Sequence, residues 1–238
     1  MTNPTLESLG YYEPAIKIVG VTKSYVPDAP DTDSLEDYIA WCARVSNPAS
    51  QASGLNNQRL LSYLVRNAHW SPFEMASISI EIKAPRDITR QILRHRSFSF
   101  QEYSGRYAVM SNFVLREARE QDLKNRQASH VTDSPGIRDG WEKLQLETLD
   151  LAVKNYEHAL SLGIAKEQAR CLLPEGLALS TVIMSGTVRS WLHYCALRSG
   201  NGTQLEHANI ARKIKSEVLD IFLPSVSAVL ENHEKTEL

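Results

Sequence analysis

Residues 75–82 read Met-Ala-Ser-Ile-Ser-Ile-Glu-Ile, an unbroken alternation of side-chain character. Only an extended strand, with its period of two, puts Ala76, Ile78, Ile80 and Ile82 on one face and Met75, Ser77, Ser79 and Glu81 on the other. That segment commits the chain to a sheet with one buried face. Ala15 to Ser24 alternates around Ile16, Ile18 and Val21 and reads as a second strand. Val26 to Asp33, with two prolines and three aspartates, reads as a loop. Apolar residues at helical spacing predict helices over Ser34–Ser46 and Asn56–Ala68, and a third running from Pro85 to about Leu93. Ser111–Asp139 is polar, holds the turn signal Pro135-Gly136, and reads as a surface excursion. A long amphipathic helix follows over Asp139–Leu162, with Trp141, Leu144, Leu149, Ala152, Tyr156 and Leu160 at its apolar positions. Lys166–Leu173 is a short helix stopped by Pro174. Thr187–Arg198 and Gln204–Leu223 are two more, split by Ser199-Gly200-Asn201-Gly202. The expected fold is α+β: a mixed sheet with flanking helices and a helical C-terminal half, in one domain over residues 1–238.

Composition removes several function classes. The 238 residues are 42% hydrophobic and 23% charged, as in an ordinary globular protein. The net charge of −2 argues against a dedicated nucleic-acid binder, so the arginines must be concentrated locally. Met1–Gly10 carries no apolar signal core and no run is long enough to span a bilayer, which predicts a soluble, cytoplasmic protein without a membrane partner. Cys42, Cys171 and Cys195 are odd in number and lack CxxC spacing, so buried reduced thiols are expected. The seven histidines show no paired ligand spacing, and no metal is expected. P-loop and Rossmann glycine patterns are absent.

The chemistry is concentrated in Arg94-His95-Arg96-Ser97-Phe98-Ser99-Phe100-Gln101-Glu102-Tyr103-Ser104-Gly105-Arg106-Tyr107. Guanidinium groups stay charged and match phosphate geometry, and Ser104-Gly105 lets the backbone approach an anion. Cations closing a helix would explain Arg94 and Arg96, but not Ser104, Gly105 and Arg106. A single-stranded RNA surface, with Phe98, Phe100, Tyr103 and Tyr107 stacking on bases, is a rival that the acidic balance disfavours. Phosphorylated ligands, more than one, are the natural occupants.

Arg-His-Arg, seven residues, then serine resembles the motif of flavin-dependent thymidylate synthases. Further matches are His69-Trp70-Ser71-Pro72-Phe73-Glu74, Ala43-Arg44-Val45-Ser46, Gln168-Ala169-Arg170-Cys171-Leu172-Leu173-Pro174 and the helix Thr187–Arg198. The resemblance covers about Ser46 to Glu206. Departures are the absence of an asparagine near Thr187, His193 where some members have asparagine, and Ser199–Thr203 in place of a turn with an acidic residue.

The resemblance implies a non-Rossmann flavin fold with FAD as cofactor, dUMP as acceptor, methylenetetrahydrofolate as carbon donor and NADPH as reductant. The product is dTMP, and the assembly is a homotetramer with sites shared between subunits. It implies that Gln91, Ser104, Gly105 and Arg106 hold the dUMP phosphate, that Glu102 and Tyr103 orient its base and sugar, that Arg170 fixes the nucleotide and that Arg198 contacts the base. It assigns Ser46, His69, Ser71, Arg94, His95, Arg96, Arg189 and His193 to FAD. Arg198 is expected to polarise the uracil carbonyl. Ser104 is the other candidate at the reacting centre, but no adjacent base would activate it, so it reads as a binding group. No cysteine is expected to serve as nucleophile.

Overall fold

The structure is a computed structural model that describes residues 9–26, 34–54, 56–200 and 202–234. Most of the expected Val26–Asp33 loop lies outside the described residues, as do Asn201 and most of Met1–Gly10. The first strand is β1 (Ala15–Val21), followed by helices α1 (Leu35–Ala43), α2 (Pro48–Ser53) and α3 (Asn57–Arg66) and a 3₁₀ turn, Ser71–Glu74. Next come β2 (Ser77–Pro85), α4 (Arg86–Ile92), β3 (Ser99–Glu102), β4 (Arg119–Gln121), β5 (Ser129–Val131) and α5 (Pro135–Ser161). After α6 (Lys166–Ala169) and the 3₁₀ turn Arg170–Leu172, β6 (Leu179–Thr187) leads into α7 (Val188–Arg198). The chain then closes with α8 (Leu205–Ile214), a π turn (Lys215–Leu219), α9 (Asp220–Phe222) and α10 (Pro224–Glu234).

The alternation in β2 does what its period dictates. Ala76, Ile78, Ile80, Ile82 and Ala84 are fully buried, while Met75, Ser77 and Lys83 are exposed. β2 is central, in the order β1-β2-β6-β3, and its ladder with β6 runs from Ser77↔Thr187 to Pro85↔Leu179. β1 pairs with β2 through a register shift between Ile18 and Gly20. The class is α+β, as expected. The sheet expected as mixed is, among the described residues, antiparallel in every pairing, with a parallel bridge at Tyr11–Leu115 beside it.

Both central strands pass straight into helices. The Arg86 amide, at the start of α4, still donates to Ala178 O at 3.0 Å, and the Val188 amide, at the start of α7, to Ala76 O at 2.8 Å. Thr187 Oγ1 caps α7 by accepting from the Ser190 amide. Because β2 and β6 are antiparallel, α4 and α7 start at opposite ends of the ladder. α7 lies over the sheet, with Trp191 Nε1 donating to Ile78 O at 3.0 Å.

The main core lies between the sheet and the helices, gathering Ile39, Leu61, Phe73, Trp191, Ile210 and Val226 among others. A second core forms under α5 from Met110, Phe113, Leu115, Leu149, Tyr156 and Leu177. The segment Ser111–Asp139 is therefore less superficial than its polarity suggests: Phe113, Leu115, Arg116 and Thr132 are buried, and a β4–β5 hairpin rises from it. The predicted helix Gln204–Leu223 is one helical run from Leu205 to Phe222 interrupted by the π turn.

Candidate active site

The motif opens at the end of α4. The Arg94 and His95 amides close its last turn on Gln91 O and Ile92 O, and the Phe98 amide returns to His95 O at 3.2 Å. Phe98 anchors the segment, its buried ring edge-on to Trp191 at 4.6 Å. Between these fixed points the chain turns Arg94 and Arg96 outward and His95 inward. Neither Arg94 nor Arg96 has an ion pair among the described residues.

His95 meets the far end of α7. Arg198 Nε donates to His95 Nε2 at 3.0 Å, and the imidazole lies edge-on to Tyr194 at 4.9 Å. Burial, reinforced by the Arg198 charge, pushes the His95 pKa down and keeps the ring neutral. The accepting Nε2 leaves the ring proton on Nδ1. Arg198 spends one N–H on this bond, and its Nη groups have no other partner among the described residues. One turn back on α4, Gln91 Nε2 donates to Gln204 Oε1 at 2.7 Å. Gln91, His95, Arg198 and Gln204 thus form one half-buried polar group.

A second group surrounds the serine-glycine-arginine loop. The Tyr103 amide continues the β3 ladder onto Thr181 O at 2.8 Å, and Tyr103 Oη donates to Val109 O at 3.0 Å. Ser104 O accepts from the Tyr107 and Ala108 amides, and Ser104 Oγ accepts from the Arg106 amide at 3.3 Å. Its hydroxyl proton remains free to donate outward. Gly105 is buried, and a β-carbon there would stand 2.8 Å from Met110 Sδ and 3.5 Å from Arg170 Cδ. Next to it is a cavity of about 250 Å³ lined by Arg86, Arg90, Arg170, Glu167 and Glu175 among others. Arg90 pairs with Glu175, and Arg106 pairs with Glu167 at 3.2 Å. Arg170 has no carboxylate partner among the described residues; its Nε donates to Glu167 O. Glu102 is held by Ser180 Oγ at 3.0 Å and Arg86 at 3.7 Å. The cavity therefore favours an anion.

The third group lies where the 3₁₀ turn Ser71–Glu74 packs on α7. The Trp70 ring is edge-on to His193 at 4.7 Å, and Arg189 pairs with Glu74. Burial and the nearby Arg189 charge push the His193 pKa down. His69 is exposed with its ring edge toward Tyr63, Ser71 is exposed, and Ser46 sits exposed beyond the end of α1.

Among the described residues, the expected residues therefore fall into three groups that do not bond to one another. Arg86, Arg90, Tyr194 and His207 belong with them and were missed. The spacing of Arg86 and Arg90 on one helix face was the available signal for the first two. A cavity of about 580 Å³ lies between the β4–β5 hairpin and α5; Gln204 of the first group lines it, but no expected site residue does. Its polar centre is structural: Arg116 is saturated by Asp87, Glu206 and Gly176 O. Burial pushes the Glu206 pKa up, but Arg116 and Arg119 outweigh it and hold the carboxyl below its usual range. The expectation of buried thiols holds for Cys195 but not for Cys171, which is exposed on the 3₁₀ turn before Pro174; Cys42 is half-buried, its pKa pushed up by burial. Among the described residues no cluster of three or more His, Cys, Asp or Glu could hold a metal, and no helix is long and apolar enough to cross a membrane.

Comparison with known proteins converges on the same motif-bearing span. The chain is 43% identical over 220 residues to a probable flavin-dependent thymidylate synthase of Paramecium bursaria Chlorella virus 1, covering 90% of this chain and 98% of that one. It is 40% identical over 216 residues to the flavin-dependent thymidylate synthase of Synechocystis sp. (strain ATCC 27184 / PCC 6803 / Kazusa), covering 91% and 99%. Its fold is similar to that of the UMP/dUMP methylase PolB from Streptomyces cacaoi bound with 5-Br UMP, with a TM-score of 0.78 at 23% identity over 93% of this chain and 95% of the other. The profile of the thymidylate synthase complementing proteins matches residues 30–224, and the chain belongs to that family, the flavin-dependent thymidylate synthases.

Proposed function

We propose that this protein is a cytoplasmic, single-domain enzyme that methylates dUMP to dTMP, with methylenetetrahydrofolate as carbon donor and NADPH-reduced FAD as reductant. The observation that carries the reading is the separation of an arginine-lined anion cavity from the Arg198–His95–Gln91 group. A nucleotide has those two ends, a phosphate and a base. The cavity with Ser104, Gly105, Arg106 and Arg170 suits the phosphate, with Arg86 and Arg90 added. Glu102 and Tyr103 support that loop. Gln91, expected at the phosphate, does not line that cavity but bonds to Gln204 and faces His207, so it is assigned with Arg198 to the base. Arg198 offers its free Nη groups to a carbonyl on which negative charge develops.

The residues fit a flavin dinucleotide. Arg94 and Arg96 are exposed cations without carboxylate partners, suited to a pyrophosphate. Trp70 and His193 offer an aromatic corner, with Ser71, His69, Arg189 and Ser46 around it. When bound, the reduced flavin supplies the hydride. His95, kept neutral, orients Arg198 without adding a competing charge.

The family resemblance implies a homotetramer in which neighbouring subunits complete each site, and three groups that share no hydrogen bond or ion pair among the described residues accord with it. The test is dTMP formation by purified, FAD-loaded protein given dUMP, methylenetetrahydrofolate and NADPH, with mass by light scattering. Expected are turnover and a mass of about four times 26.7 kDa. A folded, FAD-loaded protein that makes no dTMP overturns the activity. A fully active monomer overturns the shared sites.

A further inference from the structure

Behind Gln91 lies a buried relay. Gln91 Oε1 faces His207 Nδ1 at 3.3 Å, and His207 Nε2 lies 3.0 Å from Tyr194 Oη. His207 is 0% exposed and Tyr194 is 2% exposed. An amide and an imidazole can each be oriented in two polarities, and the choice must be argued from the network. Burial makes the choice here. His207 is the hydrogen-bond partner that Tyr194 has among the described residues, so the phenolic proton goes to His207 Nε2. The opposite polarity would leave a buried O–H without an acceptor, which protein interiors rarely tolerate.

The rest follows in order. An accepting Nε2 carries no proton, so the neutral ring holds its proton on Nδ1 and donates it to Gln91 Oε1. With Oε1 on His207, Gln91 Nε2 faces Gln204 Oε1, as the 2.7 Å contact has it. Burial keeps the ring neutral, pushing the His207 pKa down to about 3, with help from the charge of Arg198 and, in acid where it protonates, of His95. What Gln91 has left is one N–H and one carbonyl lone pair, in fixed positions.

Uracil presents an N3–H donor beside an O4 acceptor, and cytosine presents the reverse, an N3 acceptor beside an amino donor. A fixed amide matches one and opposes the other. We infer that Tyr194 and His207 are positioning residues that lock the polarity of Gln91, so that the site accepts a 2,4-dioxopyrimidine nucleotide and rejects a 4-aminopyrimidine one. This rests on the reading of Gln91 as a base contact.

The test measures dUMP and dCMP affinities by calorimetry on the FAD-loaded enzyme and on Gln91→Ala, His207→Leu, His207→Asn and Tyr194→Phe. Tyr194→Phe and His207→Leu should each narrow the dUMP-over-dCMP preference about tenfold, the scale of one hydrogen bond to a fixed partner. His207→Asn, which keeps an N–H toward Gln91, should hold the preference within about threefold. A preference unchanged in Tyr194→Phe and His207→Leu but lost in Gln91→Ala overturns the relay alone. Unchanged dUMP affinity in Gln91→Ala overturns the base contact and the relay with it. Nitrogen NMR of the unmutated protein is independent of how the variants fold. An unprotonated Nε2 on His207 supports the assignment, and a protonated one overturns it.

Discussion

At the scale of single residues, two glycines with close neighbours have different tolerances. A β-carbon at Gly186 would stand 2.4 Å from Phe98 Cδ1 and 2.7 Å from Cε1. That ring is wedged against Trp191 and cannot retreat. Gly186→Ala should cost about 1–3 kcal/mol by overpacking and lower the melting temperature by several degrees. Phe98→Leu in the same chain should return part of that loss in thermal denaturation. At Gly105 the first obstacle is the sulfur of Met110, the yielding end of a flexible side chain, so alanine there is the milder change. Arg106 separates binding from stability. Its pair with Glu167 has side chains 57% and 48% exposed, so Arg106→Ala should leave stability within about 0.5 kcal/mol. Calorimetry should find dUMP affinity reduced by about 1.5–3 kcal/mol, the worth of a charge-assisted contact. Arg94, Arg96 and Arg106 were legible in the sequence because they share one segment. The pairings Arg90–Glu175 and Gln91–His207 span 85 and 116 residues and exist only once the sheet has formed.

Among the elements, β6 escaped the sequence reading although it is central. Its inward positions are Ser180, Val182 and Met184, while Ile183 faces outward at 38% exposure, so the apolar alternation is too short to stand out. The start of α5 was misplaced for another reason. Pro135-Gly136 reads as a turn, yet proline suits the first helical position, where no amide is needed. α10 depends on a residue far away in sequence. Glu36 on α1 accepts from the Ser225 amide at 2.8 Å, the Val226 amide at 3.4 Å and Ser225 Oγ at 2.8 Å. Glu36→Ala removes this cap and should cost about 1–2 kcal/mol in urea unfolding. Burial pushes the Glu36 pKa above its ordinary 4.5 despite the Ser225 bonds. The fold therefore favours the protonated acid. That contribution is full below pH 4.5 and is lost as pH rises through the folded value. Glu36→Gln should flatten this part of the stability curve.

For the molecule as a whole, the buried imidazole of His207 should set the acid limit. His207 ionises at about 3 in the fold against an ordinary 6.5, because burial, then the Arg198 charge, then His95 once acid protonates it, disfavour the cation. The unfolded chain binds that proton first. The stability His207 contributes is complete above pH 6.5 and is withdrawn as pH falls toward 3. Each unit removes up to about 1.4 kcal/mol. His95 and His193 are displaced in the same direction. Melting temperatures should fall steeply below pH 6.5, and less steeply in His207→Asn. A slope unchanged in that variant would place the acid limit elsewhere.

The direct passage of β2 into α4 and of β6 into α7 also dictates where the chain can change in length. No slack separates ladder from helix, since Arg86 and Val188 still donate to strand carbonyls. One extra residue between Pro85 and Arg86 would turn α4 by about 100° and carry Gln91 away from His207. Such an insertion should abolish dTMP formation even in a protein that folds. The turn between β4 and β5 has the opposite character, with Leu123 100% exposed at its tip. A short flexible insertion after Leu123 should leave turnover within about twofold, as exposed loop tips generally allow. The two junctions behave as rulers for the site, and the hairpin tip is the place to add a tag.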